Sequence, residues 1–131
     1  MNRALSSYAA AMIAALTFAA VPANADADSE RGKIVFKKCK ACHLVDKEKN
    51  RIGPHLVGLF GRDAGSLKGY RYSKAMKAAE IVWEEETLDA YLKAPRKYVK
   101  GTKMAFAGLK KLEDRAALIA YLKAASDSSA N

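Results

Sequence analysis

Apolar and polar residues recur with helical spacing at both ends of this chain and lose that spacing in between. Near the start, Asp28 and Ser29 are N-cap candidates, and the helix they predict runs through Lys38 with Ile34, Val35 and Phe36 as its apolar positions. Gly32 lies one turn before Phe36, where a missing side chain allows another backbone to approach. Toward the end, Leu112, Ala116, Ile119 and Leu122 recur at three- and four-residue intervals, which predicts one apolar face on a helix over Leu112–Ala125. Glu113 and Asp114 in its first turn and Lys123 near its end suit the helix dipole. Ser126 to Asn131 reads as a polar, frayed tail.

From Leu44 to Tyr72 the periodicity fades, punctuated by Gly53, Pro54, Gly58, Gly61, Gly65 and Gly69. So long an irregular stretch is unusual in a compact domain, and implies that it wraps something that supplies missing core. Two short helices follow: one from a Ser73 cap through Ala79, the other over Leu88–Ala94, capped by Thr87 and stopped by Pro95. Glu84, Glu85 and Glu86 gather at the positive end of the second. No β-rich region, repeat or interdomain linker is visible. The pattern predicts an all-α domain with long loops.

The first residues belong to a different pattern. One positive charge at Arg3, an apolar run of 14 residues from Tyr8 to Val21, and the small residues of Ala23-Asn24-Ala25 make a secretory leader. The run is shorter than the roughly 20 residues that a spanning helix needs. The expected division is a signal peptide over residues 1–25 and one domain over residues 26–131. Losing the leader removes one basic residue and no acidic one, so a formal charge of +9 becomes +8. A core this small is marginal without a staple or a cofactor.

The chain has two cysteines, in Cys39-Lys40-Ala41-Cys42-His43. A disulfide between them closes a tiny loop and stabilises little. Thioredoxin-like exchange lacks its βαβ surroundings. A zinc site needs more ligands than His43 and His55 supply. C-x-x-C-H is instead the attachment signature of c-type haem, in which two thiols add to the haem vinyl groups and the adjacent histidine lies under the iron. Export fits, because such attachment occurs outside the cytoplasm. Candidates for a second axial ligand are His55, Met76 and Met104. His55 reads as a solvated loop residue, Met76 as part of a short helix. Met104 sits in a loop between two helices, and that context favours it over the others.

In this order, the chain resembles the class I cytochrome c family, which includes mitochondrial cytochrome c and bacterial cytochrome c2. The resemblance spans Ser29 to Ala124. It rests on the haem motif, Gly53-Pro54, Gly58-Leu59-Phe60-Gly61-Arg62, Gly69-Tyr70-Arg71-Tyr72, Trp83, Thr87-Leu88, Tyr91-Leu92, Pro95, Tyr98, Gly101-Thr102-Lys103-Met104, Phe106-Ala107-Gly108 and Leu118-Ile119-Ala120-Tyr121-Leu122. It implies the class I fold, three to five helices and long loops around one covalent haem held by Cys39 and Cys42. His43 is then the proximal iron ligand and Met104 the distal one, with the Pro54 carbonyl orienting His43. Arg62, Tyr72 and Trp83 surround one buried propionate, Thr102 touches the other, and Tyr91 lies beside the Met104 sulfur. Gly32 and Phe36 meet Leu118 and Tyr121 where the terminal helices cross. The chain departs from the family at His55 and Met76, where asparagine is usual, and at Lys100.

The resemblance implies a soluble, monomeric periplasmic carrier of single electrons, between a cytochrome bc1-type complex and a terminal oxidase or a photosynthetic reaction centre. Lys37, Lys38, Lys40, Arg96, Lys97, Lys100, Lys103, Lys110 and Lys111 form the expected docking rim for acidic redox partners. Export and the haem motif argue against nucleic acid as the partner. The alternative is a haem enzyme or sensor, peroxidase-like, with a labile distal ligand.

Overall fold

The computed structural model describes residues 24–129. The leader expected over residues 1–25 lies outside them except for its last two residues. Five helices follow in order: α1 over Asn24–Phe36, α2 over Lys74–Lys77, α3 over Glu85–Lys93, α4 over Pro95–Tyr98 and α5 over Leu112–Ser128. Among the described residues there is no sheet, only an isolated antiparallel bridge between Asp63 and Val82. This is the all-α, class I cytochrome c fold. No helix of the described residues is long and apolar enough to cross a membrane.

The α1 and α5 helices cross through a gap that a side chain would close. A Cβ on Gly32 would collide with the Ala117 carbonyl oxygen and come within 2.6 Å of the Tyr121 Cβ. Beside that contact the Phe36 and Tyr121 rings pack with centroids 5.3 Å apart, and Leu118 is fully buried. At the rim, Arg31 Nη2 donates to Asp114 Oδ1 at 2.8 Å.

Several boundaries differ from the expected ones. The α1 helix starts at Asn24, before Asp28, and stops at Phe36 rather than Lys38. It stops because the chain winds tighter: the Lys38 N–H bonds to the Val35 carbonyl at 3.1 Å and Cys39 N–H to Phe36 at 2.8 Å. The α2 helix has the expected cap, with the Met76 N–H donating to Ser73 Oγ at 3.0 Å, but ends two residues short of Ala79. The α3 helix begins three residues earlier than Leu88, and Thr87 works from inside it: Glu84 N–H donates to Thr87 Oγ1 at 2.8 Å. Pro95 does end α3, and serves as the first residue of α4.

The largest corrections fall on α5. Its buried face comprises Arg115, Ala117, Leu118, Ile119, Leu122 and Ser126. Leu112, expected inside, is 62% exposed, and Ala116 is exposed too. Arg115 takes the inner position at 4% exposure because acceptors meet its Nε and Nη1. Its Nε donates to Asp89 Oδ1 at 2.7 Å, and its Nη1 to the Leu109 and Lys110 carbonyls at 2.9 and 3.1 Å. Residues 126–128, expected to fray, continue the helix. The Ser126 carbonyl accepts the Gly58 N–H at 3.3 Å, and Ser128 and Ser129 hydroxyls bond back to Ala125.

Single backbone bonds hold the irregular segments together. Gly53 N–H reaches the Cys42 carbonyl at 2.9 Å and Leu56 N–H the Leu44 carbonyl at 2.7 Å. Trp83 N–H donates to the Arg62 carbonyl at 3.0 Å, and Gly61 N–H to the Trp83 carbonyl at 2.9 Å. These bonds tie Gly53 and Leu56 back to residues 42–44, and Gly61 and Arg62 to Trp83.

Candidate functional site

The segment after α1 is one tight turn. Cys42 and His43 N–H groups both donate to the Cys39 carbonyl, at 3.0 and 2.9 Å. Cys39 and Cys42 are half-buried and no disulfide joins them. Burial pushes the Cys39 thiol up to about 11, with Cys42 adding to the rise and Lys38 opposing it.

His43 is held by its other ring nitrogen. Nδ1 lies 2.7 Å from the Pro54 carbonyl, and a carbonyl only accepts, so Nδ1 carries the hydrogen. Nε2 therefore keeps its lone pair. Burial lowers the His43 pKa below the ordinary histidine value, against the Pro54 bond that raises it. A neutral imidazole with Nε2 unprotonated is the state in which histidine ligates a metal. Gly53 lets the backbone lie flat against that ring: a Cβ there would be 2.7 Å from His43 Nδ1 and 2.8 Å from Nε2.

Met104 lies in the extended stretch between α4 and α5, half-buried. Its Sδ is 3.9 Å from the Tyr91 hydroxyl. Tyr91 and Thr102 hydroxyls are 3.2 Å apart, and the Met104 N–H donates weakly to Thr102 Oγ1 at 3.4 Å. Lys103 Nζ donates to the Arg71 carbonyl at 3.0 Å, tying this stretch to the loop that carries Tyr72. Burial raises the Tyr91 phenol, so it stays a hydrogen-bond donor. Cys39, Tyr72 and Met104 pack against one core that contains Met76, Trp83 and Tyr91. Of the other ligand candidates, Met76 is a core side chain.

Arg62 is half-buried and donates to the Val57 and His55 carbonyls, each at 3.1 Å. Among the described residues no acidic side chain pairs with it. Burial lowers Arg62 and raises the Tyr72 phenol, and each is a counterweight for the other. Trp83 is bound to the Arg62 backbone and packs on Tyr91 with ring centroids 5.1 Å apart. The nine basic residues of the expected rim are all exposed.

His55 differs from the expectation of a solvated loop residue. It is 8% exposed, its N–H bonds Asn50 Oδ1 at 3.0 Å, and its buried Nδ1 has no partner among the described residues. Burial alternates along this segment: Gly53, His55, Val57 and Leu59 are buried while the residues between them are partly open.

The donor set suits one prosthetic group: paired thiols on a turn, a neutral imidazole oriented from behind, a thioether, and a half-buried guanidinium lacking a carboxylate. A helical chain with this set is a covalent haem protein of the C-x-x-C-H class. Residues 29–126 match the family model described as cytochrome c, and the chain belongs to that family. It is 53% identical over 112 residues to cytochrome c of Chlamydomonas reinhardtii, covering 84% of this chain and 97% of the relative. It is 57% identical over 96 residues to cytochrome c2 of Afifella marina, covering 70% and 77%. Cytochrome c type-1 of Ascaris suum is 48% identical over 104 residues, covering 79% and 93%. Members of this family carry one haem c and transfer electrons rather than turn over a substrate, so this chain is an electron-transport protein attached to its haem through Cys39 and Cys42.

Proposed function

We propose that this protein is a periplasmic electron carrier whose iron is held by His43 and Met104, exported as residues 26–131 after loss of its leader. The orientation of His43 by Pro54, with Nε2 left free, is the observation that carries the reading. The bound haem supplies one iron that alternates between ferrous and ferric states. Met104 offers a weakly donating thioether, which favours the reduced state and raises the potential. Tyr91 limits the freedom of that sulfur from 3.9 Å, and Thr102 in turn limits Tyr91. Arg62, Tyr72 and Trp83 receive a propionate, since a half-buried cation without a carboxylate is stabilised by one. Thr102 serves the other propionate from the hydrogen-bonding capacity that Tyr91 leaves open. With His43 and Met104 both holding the iron, the haem would offer no free position to a substrate.

The exposed lysines around both ligand segments steer acidic redox proteins into brief encounters with the monomer. The partners fitting this chemistry are a bc1-type complex as donor and a terminal oxidase or photosynthetic reaction centre as acceptor. The test is spectroscopic. The ferric holoprotein should show the red charge-transfer band of methionine–iron bonding and bind cyanide slowly, and Met104→Ala should abolish the band. A high-spin spectrum with immediate ligand binding overturns the reading.

A further inference from the structure

His55 occupies an unusual place for a side chain without an assigned task. The carbonyl before it, on Pro54, accepts the His43 ring, and its own carbonyl accepts Arg62 at 3.1 Å. One residue thus joins the support of the proximal ligand to the propionate-facing guanidinium. Its ring is buried at 8% exposure, with Nδ1 unpartnered. It borders a polar cleft lined also by Glu48, Asn50, Val57, Gly58, Arg62, Ser66, Leu67 and Lys68. The charged groups on that cleft are Arg62 and Lys68, which oppose a proton on His55, and Glu48, which favours one.

We propose that His55 is a positioning residue for electron transfer, whose protonation beside Arg62 raises the reduction potential of the iron. The proposal rests on the reading of Arg62 as the group facing a propionate. Burial first, then Arg62, lower the affinity of His55 for a proton, with Glu48 opposing. The ring is therefore neutral at pH 7 and gains its charge on the acid side. A positive charge at His55 disfavours the extra positive charge of ferric iron. Linkage makes the effect reciprocal: reduction raises the proton affinity of His55. On reduction the iron takes one electron from the donor protein, and His55 takes up to one proton from solvent. On oxidation both leave.

The test is a redox titration of the holoprotein from about pH 4 to 8, across the range where histidine titrates. The potential should be flat at the alkaline end and rise as pH falls. A tenfold difference in proton affinity between the two redox states reads as a plateau-to-plateau change of about 59 mV. His55→Asn should flatten the curve while keeping the methionine band, and Glu48→Gln should move the rise to lower pH. His55 and His43 are the two histidines of the chain. With His43 on the iron, NMR of the wild-type holoprotein should show His55 titrating at higher pH in the ferrous state than in the ferric, without any variant. Equal values in the two states, or an unchanged slope in His55→Asn, overturns the proposal and leaves the His43–Met104 reading standing. A wild-type protein without the methionine band overturns both.

Discussion

Where α1 crosses α5, Gly32, Phe36, Leu118 and Tyr121 bury apolar surface directly against one another. Between Leu44 and Tyr72 the chain instead hangs on separate hydrogen bonds such as Gly53 to Cys42 and Leu56 to Leu44. The first region supplies its own core. The second lays Gly53 against the His43 ring and ties Arg62 to Trp83. Helix packing makes the frame, and the prosthetic group completes the loops.

The strongest way to break this comparison is to prevent attachment. Cys39→Ala combined with Cys42→Ala should cost on the order of 5 kcal/mol or more, enough to unfold a small domain at room temperature. Hydrogen exchange should show residues 53–62 unprotected. Persistent protection there in the haem-free variant would mean that the loops fold unaided.

Leu118→Ala tests the other region. It empties a fully buried site at the crossing and should cost about 3 kcal/mol in denaturant unfolding. The methionine band should persist until the main transition, because the crossing holds the frame and not the ligands. Loss of the band well before unfolding would show that the regions are coupled.

Ser126→Ala should act in the opposite direction. Among the described residues the buried Ser126 hydroxyl has no partner, so its removal should stabilise the chain by about 1 kcal/mol. A loss of stability would show that the hydroxyl has a use at the junction with Gly58.

The smallest expected effect concerns Asp114. The hydrogen bond from Arg31 holds its carboxyl below the ordinary aspartate value. A depressed folded-state value contributes stability above the ordinary aspartate range, and that contribution is lost as pH falls through the folded-state value. The pair is solvent-exposed, so Asp114→Asn should only slightly flatten the acid limb of a stability profile. A large change would make this surface pair a main support of the crossing.

Sequence patterning located the helices and the attachment turn well, because these depend on neighbours in the chain. Ser73 behaves as a cap and Gly32 as a contact point for the reasons visible in their residue types. Patterning failed where distant partners decide. Leu112 matches the helical spacing but finds nothing to cover it, whereas Arg115 is drawn inward by Asp89 and two carbonyls that no local rule connects to it. His55 follows Pro54 in a turn-like segment that reads as a solvated loop, whereas the folded chain buries it. Of the site, Cys39, Cys42 and His43 are legible from spacing alone. Met104, Arg62, Tyr72, Trp83, Tyr91 and Thr102 needed the family pattern, since they come together only when loops close.

The pairing of the first helix with the last also has a meaning in time. Arg31 and Asp114, which meet at the crossing, are 83 residues apart in the chain. At synthesis rates of about 5–20 residues per second, roughly 4–17 s separate their appearance. Throughout that interval α1 lacks the α5 surface that it packs on. The order of the chain thus makes the crossing of α1 with α5 one of the last contacts that can form.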